Sequence, residues 1–193
     1  MERHRGGLLG DQEGRVLLGA VTMRRNHCGF TLIELLIAVA VLGVVVAMAL
    51  PNFQAWIANT KIRTTAEAIL NGMQLARAEA VRRNRNVQMV LNSDSSWTVS
   101  EVATATTLQS RPVEAGAGTL TITRTPAAAT RVTFNGLGRV TTNTDGSASL
   151  TQVEVDTSAV SAAQSRELRI TINTGGEVRM CDPSQPASDP RSC

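Results

Sequence analysis

The sequence predicts an α+β protein in which one long N-terminal helix packs on antiparallel β-structure. An apolar run from Phe30 to Leu50 leads into a stretch with apolar residues three and four positions apart, which is typical of a helix. Beyond Arg85 the composition changes to short threonine- and valine-rich runs separated by turn residues, as expected for antiparallel strands. The length of 193 residues suits one compact domain plus an anchor.

The composition argues against most enzyme classes. The formal net charge of +3 is too small to indicate nucleic-acid binding through bulk charge. Both histidines, His4 and His27, precede Phe30, and the only cysteines after it are Cys181 and Cys193. A chain that starts at Phe30 could therefore build neither a Ser-His-Asp site, nor a Cys-His site, nor a four-ligand zinc site. We expect a structural protein with no catalytic residue, cofactor or metal.

The apolar run is long enough to cross a membrane. From Phe30 to Leu50 only Thr31 and Glu34 are strongly polar, and the run corresponds to about 31 Å of helix. Arg24 and Arg25 precede it, which predicts a cytoplasmic N-terminus and an inner-membrane protein with its C-terminal domain outside, in the periplasm of a Gram-negative cell. The alternative is an ordinary signal peptide, but the run is long for one and no A-x-A cleavage site follows it.

Glu34 is the unusual residue of this span. A carboxylate within an apolar helix costs roughly 2.5–3.5 kcal/mol on insertion scales, so it indicates a functional role. No basic residue occurs between Phe30 and Leu50 to neutralise it. The simplest cation is a free amine created by cleavage just before Phe30, either on the same chain or on a neighbour.

The residues Gly29-Phe30-Thr31-Leu32-Ile33-Glu34 resemble the class III signal of type IV pilins and type II secretion pseudopilins. The resemblance implies that a prepilin peptidase cuts between Gly29 and Phe30 and methylates the new N-terminus of Phe30. It also implies that Glu34 neutralises the N-terminus of an adjoining subunit during assembly. The implied partners are the prepilin peptidase/methyltransferase, other pilins or pseudopilins that pack on the N-terminal helix, and the inner membrane.

The predicted organisation has four parts: a leader (1–29), a transmembrane and assembly helix (30–50), an amphipathic continuation (51–85) and a periplasmic β-rich domain (86–193). The leader is long for this family, and Met23 offers an alternative start with a short basic leader. Cys28 lacks the apolar neighbours of a lipidation signal, so we expect it to be removed with the leader.

The second part of the helix is expected to bury one face against the domain. Pro51 should kink or locally loosen the helix. Phe53 and Trp56 are either anchors at the membrane interface or contacts in a filament. The predicted buried stripe consists of Ile62, Ala66, Ile69, Leu70, Met73, Ala76 and Ala80.

Seven strands are predicted between turn signals such as Asn135-Gly136 and Gly175-Gly176. The Ala/Thr-rich stretches Ala103–Gln109 and Thr125–Thr130 are expected to be exposed loops. The strands are Val87–Leu91, Trp97–Val102, Thr119–Thr123, Arg131–Phe134, Leu150–Val155, Leu168–Ile172 and one near Val178–Met180.

Features of the domain resemble the type II secretion protein H/FimT-FimU branch of minor pilins and pseudopilins. They are Ala76-Arg77-Ala78-Glu79-Ala80, then Trp97, then Phe134-Asn135-Gly136-Leu137-Gly138-Arg139, and the two cysteine-containing ends around Cys181 and Cys193. A type IV pilus and a type II secretion pseudopilus use the same helix and processing, so both assemblies stay open.

The two late cysteines are expected to form a disulfide, because the domain lies on the oxidising side of the membrane. In the chain-entropy model, a bridge between Cys181 and Cys193 contributes roughly 3 kcal/mol by closing a proline-rich loop. Two free thiols are the alternative.

A DNA-binding role is the second hypothesis. The chain resembles FimT proteins, and some of these proteins capture DNA in natural transformation through a glycine-arginine-x-arginine element. The matching positions read Gly176-Glu177-Val178-Arg179, so Glu177 places the wrong charge beside a phosphate. Arg179 and Arg191, with Arg166 or Arg169, could contact a DNA backbone. The Arg82, Arg83 and Arg85 cluster is expected instead to pair with the helix dipole or a neighbouring subunit.

Overall fold

A computed structural model describes residues 29–113 and 117–193, so the predicted leader other than Gly29 lies outside the described residues. The chain divides into two units, one ending at Leu42 and one spanning Gly43–Cys193. The helix α1 spans Leu32–Arg83, and a short 3₁₀ helix spans Ala117–Thr119. The strands are β1 (Val87–Leu91), β2 (Trp97–Glu101), β3 (Thr107–Arg111), β4 (Leu120–Thr125), β5 (Arg131–Phe134), β6 (Val140–Thr141), β7 (Gln152–Thr157), β8 (Leu168–Ile172) and β9 (Val178–Cys181).

The helix α1 ends at Arg83 in a left-handed cap. Asn84 adopts a φ of 50°, and its N–H donates to Val81 O at 3.2 Å while the N–H of Arg85 donates to Ala80 O at 3.1 Å. These two bonds form a Schellman motif, in which asparagine is one of the few residues that tolerate the required conformation. The helix therefore stops slightly before the predicted end near Arg85, and it continues through residue 51 without interruption.

The predicted apolar stripe of the helix lies in the core. All but one of its members are fully or almost fully buried, and the exception, Leu70, packs partly buried against the same cluster. Side chains three and four positions apart stand on one face of a helix, so the periodicity alone identifies this buried face. Each fully buried isoleucine or methionine contributes about 1.5–3 kcal/mol relative to exposure.

The β-strands form two antiparallel sheets. The five-stranded sheet has the order β3-β2-β1-β5-β6, and the four-stranded sheet has the order β4-β7-β8-β9. In β7 the residues alternate between half-buried and buried, with Val153, Val155 and Thr157 inward. Such alternation is expected when one face of a sheet covers a core. The α+β fold class predicted from the sequence is confirmed.

Several strand and loop predictions are wrong. The predicted loop Ala103–Gln109 contains the start of β3, which pairs with β2 and has a register shift between Val99 and Ser100. The strand β6 was not predicted, and it pairs with β5. The stretch Thr125–Thr130 begins in β4 and includes the fully buried Ala129, so it is not wholly exposed.

The strand ends differ from prediction by one or two residues. The structure begins β4 at Leu120 and β7 at Gln152, and it ends β2 at Glu101 and β9 at Cys181. In β4 and β7 the partner strand determines these ends, since the two strands pair in register from Leu120 with Thr157 to Thr125 with Gln152.

Candidate functional site

The residues before the helix are exposed, and one of them caps its first turn. Gly29 and Phe30 precede the helix, and the Phe30 side chain is 84% exposed. The hydroxyl oxygen of Thr31 accepts a hydrogen bond from the N–H of Glu34 at 3.2 Å. Thr31 is therefore the N-cap of α1, and Thr31-Leu32-Ile33-Glu34 has the spacing of a capping box. The T-x-x-E pattern is the sequence signal of this cap, which was not predicted.

Glu34 stands in the first turn of the helix with an exposed side chain. No hydrogen bond or ion pair to its carboxylate occurs among residues 29–113 and 117–193. The helix dipole favours a negative charge at this end, which explains how the helix accommodates the carboxylate. The dipole does not remove the cost of placing the charge in an apolar environment, so a cation from outside the described chain would still be favoured.

The apolar side chains that follow Glu34 point outward. Within the described residues, α1 is the one helix that is long and apolar enough to cross a membrane by length and composition, and its most apolar segment is not buried. Leu35, Val39, Leu42 and Val46 are each about half exposed or more. An apolar surface of this extent needs a lipid or protein environment, because water-soluble proteins rarely expose one so large.

Cys181 and Cys193 are joined in a disulfide, as predicted, with a Cα–Cα separation of 5.0 Å. The tail folds back beside the end of β9, where the N–H of Asp182 donates to Arg191 O at 2.8 Å. Asp182 also accepts from the N–H and the hydroxyl of Ser184 at 2.9 and 2.6 Å. The bridge and these bonds together order a segment that its prolines keep from forming a helix or a strand.

The two arginines proposed for DNA contact support this tail. The Arg179 Nη2 donates to Pro190 O at 3.1 Å and to Ser192 O at 2.9 Å. The Arg191 guanidinium pairs with Asp189 at 2.8 Å, and its hydrogen bonds lower the pKa of that carboxyl to about 2. Arg169 pairs with Glu154. The side chains of Arg179, Arg191 and Arg169 thus contact other residues of the same domain.

The basic cluster at the end of α1 pairs with carboxylates of this domain. Glu79 accepts from Arg82 and Arg83, each at 2.7 Å, and these bonds lower its pKa to about 2. The largely buried Glu101 contacts Arg83 at 3.7 Å and Arg85 at 3.3 Å. These ion pairs connect the helix end to β2. Arg82 and Arg83 stand in the last turn, where the helix dipole favours positive charge, and pairing with a neighbouring subunit stays a prediction.

Three glycines connect the loop after β5 to its surroundings, an arrangement that the sequence does not reveal. A Cβ at Gly176 would overlap the carbonyl oxygen of Gly138, and a Cβ at Gly136 would overlap the side chain of Asn84. The Gly138 carbonyl also accepts a hydrogen bond from Arg77 Nε at 3.1 Å. This packing attaches the β5–β6 and β8–β9 turns to the helix.

The described parts of the chain contain no group of three or more His, Cys, Asp or Glu residues able to hold a metal ion. A groove of about 530 Å³ lies beside the helix, lined by Gln74, Arg77, Ala78, Val81, Arg82, Glu177 and Val178. In this groove Arg77 bonds the Gly138 carbonyl and Arg82 bonds Glu79.

In the described residues, a capped helix is apolar and exposed in its first part and buried in its second part, where it packs on antiparallel sheets. These features place the chain in the class of α+β proteins with a candidate membrane-spanning helix. The family model for the type II transport protein GspH matches residues 65–176, more than half of the chain. The prokaryotic N-terminal methylation motif matches residues 24–50. The chain belongs to the GspH family, which confirms the family resemblance inferred from the sequence.

Individual relatives share a shorter region. Two fimbrial proteins of Pseudomonas aeruginosa are 36% identical over 59 residues, which is 31% of this chain and 38% of theirs. The chain thus spans about two-fifths of the length of the curated relatives it matches. Two crystal structures of the type IV minor pilin FimU of Pseudomonas aeruginosa PAO1 are 21% identical, with TM-scores of 0.46 and 0.44. They cover 69% and 68% of this chain and 96% and 98% of their own.

Proposed function

We propose that this protein is a minor pilin or pseudopilin, a structural subunit that is anchored in the inner membrane and assembles through Phe30–Leu50 into a type IV pilus or type II secretion pseudopilus. The observation that carries this proposal is the methylation motif over residues 24–50, which includes an exposed carboxylate at Glu34 in an apolar helix. Membership of the GspH family supports it independently.

In this proposal a prepilin peptidase cuts between Gly29 and Phe30, and methylation follows at Phe30. Both residues are exposed, as access by a peptidase requires. Cleavage creates a cationic amine next to the helix, and that amine on one subunit pairs with Glu34 on its neighbour. Because an unpaired carboxylate costs roughly 2.5–3.5 kcal/mol in an apolar environment, correct docking of two subunits removes a penalty that incorrect docking retains.

The protein acts in this role without catalysis: its partners are the peptidase and other pilins or pseudopilins. Its N-terminus lies in the cytoplasm and its β-sheet domain in the periplasm. DNA binding through Arg179 and Arg191 receives little support, since both guanidinium groups contact the C-terminal tail.

The test compares variants of Glu34 with a variant of Thr31, the residue that caps the helix. Glu34→Ala should leave membrane insertion intact and strongly reduce incorporation into sheared filaments or pseudopili, with Glu34→Gln behaving similarly because it also lacks the charge. Thr31→Val is the matched control, because it removes the hydroxyl that caps the helix and leaves the carboxylate in place. Normal incorporation of Glu34→Ala, or an equal defect in Thr31→Val, would contradict the proposed pairing.

A further inference from the structure

An exposed aromatic pair occurs just after the apolar run ends at Leu50. The side chains of Phe53 and Trp56 are 57% and 64% exposed, and their rings stack with centroids 6.0 Å apart. Trp97, the other tryptophan, is only 4% exposed in the core. A pair of large exposed rings is costly in water, and its position at the end of a candidate membrane span indicates an interfacial environment.

The rings point away from the side of the helix that enters the core. Ala58 and Ile62 are buried, whereas Trp56, Thr60 and Arg63 are exposed on a stripe with three- and four-residue spacing. The Arg63 side chain is 72% exposed. The Arg63 Nε donates to Glu67 Oε1 at 2.9 Å, one turn further from Trp56. Because so exposed an ion pair contributes little, the guanidinium can exchange it for a lipid phosphate.

A second basic residue reaches this region from a distant part of the chain. The Asn59 Nδ2 donates to Gln164 O at 2.8 Å, and its Oδ1 accepts from the N–H of Arg166 at 2.8 Å. The Ser165 hydroxyl donates to Asp156, which holds the same loop against β7. The exposed Arg166 is thereby attached to the helix less than one turn beyond Trp56.

We infer that Phe53, Trp56, Arg63 and Arg166 form a surface that binds phospholipid headgroups at the periplasmic face of the membrane. The rings lie at the level of the glycerol and carbonyl groups, where an indole can both contact acyl chains and donate its N–H. The two guanidinium groups lie slightly further out and contact lipid phosphates. The surface thus fixes how deeply the subunit sits before assembly.

This inference rests on the proposed membrane anchoring, and depth-dependent fluorescence quenching tests it. The full chain is reconstituted into phospholipid vesicles whose acyl chains carry bromine either near the carbonyl groups or near the chain ends. Shallow bromine should quench the fluorescence at least about twofold more than deep bromine. Trp56→Phe, which retains the buried Trp97, should lose this quenching.

Each alternative gives a distinct result. A chain that floats with the vesicles but is not quenched at either depth would overturn the headgroup surface while leaving the anchor intact, and would favour a filament contact for the aromatic pair. Strongest quenching by deep bromine would place Trp56 within the span and also overturn the inference. A chain that does not float with the vesicles would contradict the proposed anchoring itself.

The basic part of the surface is tested with anionic lipid. Replacing about a third of the zwitterionic lipid by an anionic one should increase shallow quenching in the parent, because negative headgroups attract the two arginines. The double variant Arg63→Gln/Arg166→Gln should lose this response. An unchanged response in the double variant would remove both arginines from the headgroup surface.

Discussion

Asn59 accepts a hydrogen bond at 2.8 Å from the backbone N–H of Arg166, which is 107 residues further along the chain. Its amide group donates to Gln164 O in the same loop. One side chain thus attaches the helix to the β7–β8 connection, ahead of the first fully buried residue of the helical stripe, Ile62. Neither partner has a sequence pattern that would reveal the pair, because it depends on how the domain folds back on the helix.

Asn59→Ala should destabilise the domain through the loss of these two bonds. Each contributes about 0.5–1.5 kcal/mol, and their exposure favours the lower part of that range. Chemical denaturation of the full chain in detergent micelles measures the effect. Asn52→Ala is the matched control, since Asn52 is exposed on the same helix and has no recorded side-chain bond among the described residues. Equal stability of the two variants would argue against the attachment.

Gly176→Ala should be more destabilising than an ordinary glycine replacement in a turn. Gly176 has a φ of 84°, and its missing Cβ makes room for the Gly138 carbonyl. Gly146 has a φ of 72° but nothing within 4 Å of the position of a Cβ, so Gly146→Ala should cost only about 1–2 kcal/mol. The difference in unfolding free energy between the variants isolates the contact between the two turns. A difference near zero would mean that the turns separate without cost.

Arg179→Ala should loosen the C-terminal tail without changing DNA retention. The variant loses two bonds to backbone carbonyls, so hydrogen exchange within residues 182–192 should accelerate while the disulfide stays formed. In gel-shift titrations, we expect no salt-sensitive retardation of DNA at micromolar concentrations of parent protein. Retardation by the parent that disappears in Arg179→Ala would instead support the DNA-binding hypothesis.

Acid should weaken the domain partly through Glu79. Its hydrogen bonds with Arg82 and Arg83 hold its pKa near 2 instead of 4.5, so the unfolded chain binds a proton before the folded chain does. The stabilisation is complete above the ordinary pKa and declines as the pH falls toward 2. Arg82 is 64% exposed, so solvent screening reduces the energy involved.

The corresponding measurement compares the unfolding free energy of the parent and Glu79→Gln between pH 6 and pH 2. The parent should be more stable at pH 6, and the difference should shrink as the pH falls. Glu67→Gln is the control, because it removes an exposed i,i+4 ion pair with Arg63 on the same helix and should change stability by no more than about 0.5 kcal/mol. A difference for Glu79→Gln that does not vary with pH would contradict this account.

Local pattern predicted the features that depend on a single segment. The stripe from Ile62 to Ala80 follows from helical periodicity alone, and the apolar run with its single carboxylate is visible without a structure. The strand β3 was missed because its residues Thr107–Arg111 are mostly exposed on both faces, so no alternation marks them. It is recognisable only from its pairing with β2.

Contacts between distant segments account for the remaining differences. The close approach of Gly176 to Gly138 and the attachment of Asn59 to Arg166 each join residues whose neighbours give no local signal. The arginines proposed for DNA contact follow from the resemblance to the FimT element and from their charge, neither of which reveals their contacts. Their internal partners, including the Pro190 and Ser192 carbonyls for Arg179, depend on the fold of the tail.

The proposed role of Glu34 requires an amine released immediately before Phe30. Intact-mass measurement combined with N-terminal analysis of the membrane-associated protein tests it most directly. We expect a chain that begins with N-methylated Phe30. A functional protein that retains Gly29, or that begins at any other residue, would contradict it.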